Sequence, residues 1–293
     1  MLLRFFTTSV LFLFLATIVA AQGTAVDRQP LLVGFVPLSE QQLQQGYIRP
    51  FDNTGTFGWT GNQATIGIRN GELHFNGALA DSPFYFLGFD AVPQRVFSGT
   101  DAVRPEGLTT IFDGETLAGW SIVGSIDVTV EDGAIFITST SGVSGALEYE
   151  GLFGDFVLQL EFYTPVRSGS SVNSGVFFRS IPGENMNGYE CQIQNTARQS
   201  GATLGTRTGG IFRFQDARYV GARDGEWNHL TIAARGPRMA SWVNGIQVTD
   251  WTDEREPHNN PRNGSRLEAG TIQFQGHGSG TEIRFRNIRI KEL

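Results

Sequence analysis

Met239-Ala240-Ser241-Trp242-Val243-Asn244-Gly245-Ile246-Gln247-Val248-Thr249-Asp250-Trp251 holds two alternating runs on either side of an Asn-Gly pair. A type I′ turn needs positive φ at both central residues, which Asn and Gly tolerate, so this stretch predicts a β-hairpin. Similar short runs lie on both sides of it. Phe156 to Tyr163, Ser174 to Arg179, Tyr189 to Gln194, Gly210 to Gln215 and Trp227 to Ala233 come before. Gly270 to Gln275 and Glu282 to Ile290 come after, and Gly, Asn, Asp and Pro clusters separate them all. With no amphipathic helix among them, these strands predict an all-β sandwich or barrel.

Composition agrees. The chain has 293 residues, of which 37 are glycine and 23 phenylalanine, against three methionines; that balance favours turns and strands over helices. A net charge of −7 without any basic run argues against nucleic acid as a partner. The single cysteine, Cys191, excludes an internal disulfide and a thiolate metal cluster. Lys291 is the only lysine, which argues against Schiff-base and Walker-type lysine chemistry.

At the N-terminus, Arg4 precedes an apolar stretch from Phe5 to Ala20 and a small-residue cleavage site, Val19-Ala20-Ala21. Residues 1–21 therefore read as a signal peptide, too short to span a bilayer, and predict a secreted or periplasmic protein with no membrane insertion after cleavage. Residues 22–106 read as an N-terminal extension, Gln-rich at first, where the sequence fits either a linker or one short helix. Within it, Phe51-Asp52-Asn53-Thr54-Gly55-Thr56-Phe57-Gly58-Trp59 matches Phe112-Asp113-Gly114-Glu115-Thr116-Leu117-Ala118-Gly119-Trp120. Each copy leads to an Asn/Asp-Gly hairpin, at Asn70-Gly71 and Asp132-Gly133. Two copies make a partial duplication, not a solenoid. The main domain is expected over residues 107–293.

The two-residue period divides each strand into faces. Tyr189, Cys191 and Ile193 form an apolar face, which makes Cys191 a core residue; Glu190, Gln192 and Gln194 point the other way. Ile272 and Phe274 oppose Thr271, Gln273, Gln275 and His277. Over 210–215, Phe212 and Phe214 oppose Ile211, Arg213 and Gln215. Amides and guanidinium forks in such density suit sugar hydroxyls better than a merely solvated face would require. Trp227, Trp242 and Trp251 fall in strands, where core packing is the expected role.

These segments resemble the domain of unknown function 1080 family, also called 3-keto-disaccharide hydrolase. The resemblance is carried by Phe112 to Trp120, Asn173-Ser174-Gly175-Val176-Phe177-Phe178-Arg179, Gly188-Tyr189-Glu190-Cys191-Gln192-Ile193, Glu226-Trp227-Asn228, Val243-Asn244-Gly245 and the ending Phe285 to Leu293. It implies a concanavalin A-like jelly-roll sandwich, here with additional N-terminal strands. It also implies action on glycosides already oxidised at C3. There a base removes the acidified C2 proton, the enediolate expels the C1 substituent, and water adds to the 3-keto-2-hydroxy-glucal.

By motif, the resemblance implies proton-transfer or divalent-cation-ligand roles for Glu190 and His277, and enediolate stabilisation by Arg179 or Arg213. Gln192, Gln215 and Gln275 would position hydroxyls, with Asp216 on the rim. No cofactor is assigned; one carboxylate, one histidine and scattered amides are a sparse set for a hard ion. The alternatives are a non-catalytic carbohydrate-binding module on the same face and a structural sandwich. A cross-strand ion pair between Glu190 and Arg179 is the plain structural reading of those two residues.

Overall fold

The computed structural model describes residues 36–52, 57, 66–75, 96–98, 100–169, 171–196, 203 and 205–293. The expected signal peptide, most of the first repeat copy and the middle of the loop from Asn195 to Thr208 lie outside the described residues.

The Gln-rich segment forms one short helix, α1 (Glu40–Gln44), started by a capping box in which Ser39 and Gln42 satisfy each other's backbone N–H groups. A small antiparallel sheet follows, of β1 (Ile66–Arg69), β2 (Glu72–Phe75) and β3 (Val96–Ser98). The chain then supplies β4 (Thr109–Thr110), β5 (Trp120–Gly124), β6 (Asp127–Glu131), β7 (Ala134–Thr138), β8 (Gly145–Tyr149) and β9 (Phe156–Tyr163). After these come β10 (Ser174–Ser180), β11 (Tyr189–Ile193), β12 (Trp227–Arg235), β13 (Arg238–Val243), β14 (Ile246–Thr252), β15 (Thr271–Gly276) and β16 (Glu282–Glu292).

The strands from β4 onward make two antiparallel sheets. One has five strands in the order β11-β10-β15-β8-β5. The other runs β14-β13-β12-β9-β16-β7-β6, with β4 paired to β16. Antiparallel neighbours distant in sequence give a jelly-roll β-sandwich. Side chains interdigitate between the sheets: the Phe274 and Phe285 rings lie 4.3 Å apart, and Phe156 meets Phe178 edge-on at 5.7 Å. Cys191 belongs to this core, and burial pushes its thiol well above the usual range.

The predicted turns form as their residues require. Asn244 and Gly245 both have positive φ, 48° and 80°, and close the hairpin of β13 and β14. Asn70-Gly71 and Asp132-Gly133 close their hairpins in the same way. In the second repeat copy, the Asp113 carboxylate accepts bonds from the Thr116 hydroxyl and from the N–H groups of Thr116 and Glu115, at 2.7, 2.7 and 2.8 Å. Led by the Thr116 hydroxyl, these bonds lower its pKa to about 2. That motif is turn chemistry.

β9, β12 and β13 are largely buried on both faces, because the segment following α1 covers part of the far side of the larger sheet. Ile48 packs there with Val157, Ala233, Ala240 and Trp242, bordered by Val103 and Leu293. Trp242 is thus buried outside the sandwich core.

One predicted strand does not form. Residues 211–215 make a tight turn closed by a bridge between Ile211 and Gln215, with Arg213 at its apex in the left-handed region.

Candidate active site

Strand register brings several of the candidate polar residues onto one surface. In β11, Glu190 and Gln192 point away from the core and lie opposite Phe177 and Gly175 of β10. Phe177 pairs with Gln273 of β15, and Gln273 with Glu148 of β8. One cross-strand row therefore reads Glu190, Phe177, Gln273, Glu148. The next, by the same register, reads Gln192, Gly175, Gln275, Ala146.

The outer face of an antiparallel sheet is commonly solvated. This one is covered: Glu190, Gln192, Gln273, Gln275 and Glu148 are all less than a tenth exposed. The connection between β10 and β11 folds over them. The backbone N–H of Met186 donates to Gln273 Oε1 at 3.0 Å, and Gln275 Nε2 donates to the Met186 sulfur at 3.0 Å. Gln273 Nε2 and Thr271 Oγ1 donate to Glu148 at 2.7 and 3.0 Å, and the Gly183 N–H adds a bond at 3.2 Å. Gln192 Nε2 donates to Asn173 Oδ1 at 2.9 Å. The carboxamide oxygens of Gln192 and Gln275 are buried and accept no hydrogen bond among the described residues.

Arginines from two loops act on Glu190, Arg262 at close range and Arg213 through its charge. Arg262 donates through Nε to the Met186 carbonyl at 2.9 Å, lies over the Phe177 ring at 5.3 Å, and places Nη2 3.6 Å from Glu190 Oε2. Arg213 arrives on the 211–215 turn, whose Phe212 N–H donates to the Glu190 carbonyl at 2.9 Å. That turn is clamped from behind, since Phe214 stacks on Trp251 at 4.9 Å and the Arg255 guanidinium lies 4.0 Å from the Phe214 ring.

Burial dominates the electrostatics of Glu190. It pushes the carboxyl up to about 7, against the opposing pull of Arg262 and then Arg213. The guanidinium at 3.6 Å does not restore an ordinary carboxylate, because removing a charge from water costs more than one imperfect ion pair returns. Burial also lowers the Arg262 pKa, Glu190 raises it, and Arg213 lowers it again by like-charge repulsion. The result is a carboxyl that changes charge near neutrality beside the Arg262 guanidinium and within the field of Arg213.

The other sequence-predicted residues fall elsewhere. Arg179 is fully buried and off this face, because a bulge between Phe177 and Ser180 and a φ of 48° at Arg179 break the strand alternation. It donates to the carbonyls of Gly154, Gly236 and Arg266 at 2.8, 2.8 and 3.1 Å and to Asp155 at 3.0 Å. The ion pair of Arg179 is therefore with Asp155, not Glu190. Gln215 donates to the adjacent Asp216 carbonyl at 3.3 Å, and the Asp216 carboxylate accepts from the Gly205 N–H at 2.7 Å, which ties the turn to its neighbouring loop.

His277 lies in the turn after β15, with Nδ1 2.9 Å from the Ser279 hydroxyl, and burial lowers its pKa. Two strand spacings across the sheet and four residues along β15 separate it from Glu190, or about 16 Å at ordinary strand dimensions. Among the described residues, no three His, Cys, Asp or Glu side chains form a group that could hold a metal ion. Sequence reasoning misses Arg262, Met186 and Glu148. Arg262 and Met186 lie in loops without periodicity, while the Glu148 strand carries too few polar residues to reveal a face.

A family model for the 3-keto-alpha-glucoside-1,2-lyase-like domain matches residues 107–291. A Bacteroides thetaiotaomicron protein named 3-keto-disaccharide hydrolase is 26% identical over 240 residues, covering 65% of this chain and 80% of that one. Two solved Parabacteroides distasonis structures, both provisionally assigned as glycosyl hydrolases, share the fold with TM-scores of 0.50. They are 22% and 25% identical, covering 64% and 66% of this chain and 95% and 86% of theirs. The register, the sandwich and the family match agree: this chain belongs to the 3-keto-alpha-glucoside-1,2-lyase-like family.

Proposed function

We propose that the protein cleaves 3-keto-glycosides by elimination and hydration, with Glu190 as the base. The observation that carries this reading is the Glu190 carboxyl, buried on a polar sheet face 3.6 Å from Arg262, where burial raises its pKa to about 7 against the pull of Arg262 and Arg213. A base tuned close to working pH combines a useful ionised fraction with proton affinity. The name of the Bacteroides thetaiotaomicron relative supports the substrate class.

The ketone at C3 acidifies the C2 proton, which passes to the Glu190 carboxylate. The C2–H electron pair becomes the C2–C3 double bond, and the C3 oxygen gains negative charge beside the guanidiniums. Fixed cations in a site shielded from water stabilise such a charge strongly. The enediolate then re-forms the ketone and expels the C1 oxygen substituent, which takes the proton from Glu190 and returns it to its carboxylate form. The product is the 3-keto-2-hydroxy-glucal, and water adds across its C1–C2 double bond, its proton going to C2. Gln192 and Gln275 offer carboxamides to sugar hydroxyls. Cleavage of residues 1–21 would put this chemistry outside the cytoplasm.

Turnover of a 3-keto-disaccharide in D2O tests the reading. Elimination followed by hydration places one solvent deuteron at C2 of the released 3-keto sugar. Release without deuterium at C2 would mean direct hydrolysis. Binding of plain disaccharides without release from any 3-keto-glycoside would favour the carbohydrate-binding module.

A further inference from the structure

Gly175 is the second residue of the buried strand β10, where a glycine weakens the strand and packs no side chain. Its φ is not in the left-handed region, so the backbone does not require glycine. Space does. A Cβ built on Gly175 would fall 2.8 Å from Glu190 Oε1, 2.9 Å from Cγ and 3.3 Å from Cδ. The Glu190 side chain therefore lies directly over the bare Cα of a residue on the neighbouring strand. Gln192 and Gln275, which share a row with Gly175, are the two glutamines of this face whose carboxamide oxygens lack donors among the described residues. On the other side, Phe177 with Arg262 above it blocks a sideways retreat.

We propose that Gly175 is a positioning residue whose missing side chain forms the seat for the Glu190 carboxyl. The role as base rests on the function proposed above; the seat itself does not. An alanine at 175 leaves the carboxyl one way out, towards the covering loop and solvent. There it loses its burial and its alignment with the substrate.

The test is a double-mutant cycle between Gly175→Ala and Glu190→Ala, read by thermal unfolding, with a pH series on each background. In the parent background, Gly175→Ala is expected to destabilise the protein and to move the Glu190 titration towards the usual carboxylate range. In the Glu190→Ala background, the same alanine is expected to cost little, since nothing remains for it to strike. With a 3-keto-disaccharide, Gly175→Ala is expected to lower kcat about 10- to 100-fold while KM changes less, as for a displaced catalytic group. The acid limb of its pH profile should move down.

Equal destabilisation by Gly175→Ala in both backgrounds would overturn the seat, as would an unshifted Glu190 titration in a folded Gly175→Ala protein. Should Gly175→Ala alone fail to fold, recovery of folding in the double mutant supports the seat and continued failure opposes it. If the parent cleaves no 3-keto-glycoside yet the cycle shows coupling, the proposed function fails and the seat stands. Cleavage by the parent without coupling leaves the function standing and removes the seat.

Discussion

Glu190 shows how one residue's surroundings set its chemistry. Its folded pKa of about 7 exceeds the ordinary carboxyl value of 4.5, so the folded state holds the proton more tightly than the unfolded chain. The associated stability is fully present below the unfolded value and is lost as pH rises to about 7. A gap of this size corresponds to roughly 3 kcal/mol. Glu190→Gln is therefore expected to flatten the pH dependence of unfolding between about 4.5 and 7, measured by denaturant titration. A slope unchanged by the substitution would mean that this carboxyl titrates normally. Arg262 acts on the same group with the opposite sign. Arg262→Gln removes the nearest cation, so the acid limb of kcat/KM should move to higher pH and the rate should fall by about 10²- to 10³-fold.

The strands are legible in the sequence because burial of one face imposes their alternation. β9, β12, β13, β14 and β16 occur close to where the apolar runs put them. The departures come from backbone events that alternation cannot record. Positive φ at Arg213 makes 211–215 a turn and lifts that residue to the rim. A bulge ahead of Ser180 sends Arg179 away from Glu190 to pin three carbonyls and Asp155. Arg262 is illegible for another reason: its partners, Glu190 and Met186, come from distant segments that only the folded sheet brings together. Arg179→Ala is expected to cost about 3–5 kcal/mol, because it leaves three carbonyls without their donor and opens a cavity where a fully buried side chain stood. The folded fraction should keep the parent's pH–rate profile, and a changed profile would return Arg179 to the chemistry.

Across the sandwich, the two outer faces have different roles. The five-stranded sheet turns its outer face into a covered polar surface, while the larger sheet buries the β9, β12 and β13 part of its outer face beneath the segment after α1. That cover contributes through Ile48, against Trp242 and its neighbours, on the side of the sandwich away from Glu190. Ile48→Ala should cost about 2–5 kcal/mol of stability by calorimetry or denaturation. It should leave kcat/KM of the folded protein unchanged at 25 °C. A loss of activity at full folding would mean that the two faces are coupled.

The proposed chemistry turns on one step, the removal of the C2 proton by a neutral-range carboxyl at Glu190. The pH profile of kcat/KM on a 3-keto-disaccharide, for the parent and for Glu190→Gln, probes that step without intermediaries. An acid limb with an apparent pKa near 7 is expected in the parent. That limb and at least about 10²-fold of the rate should disappear together in the variant. Parent-like cleavage by Glu190→Gln would show that another group removes the proton.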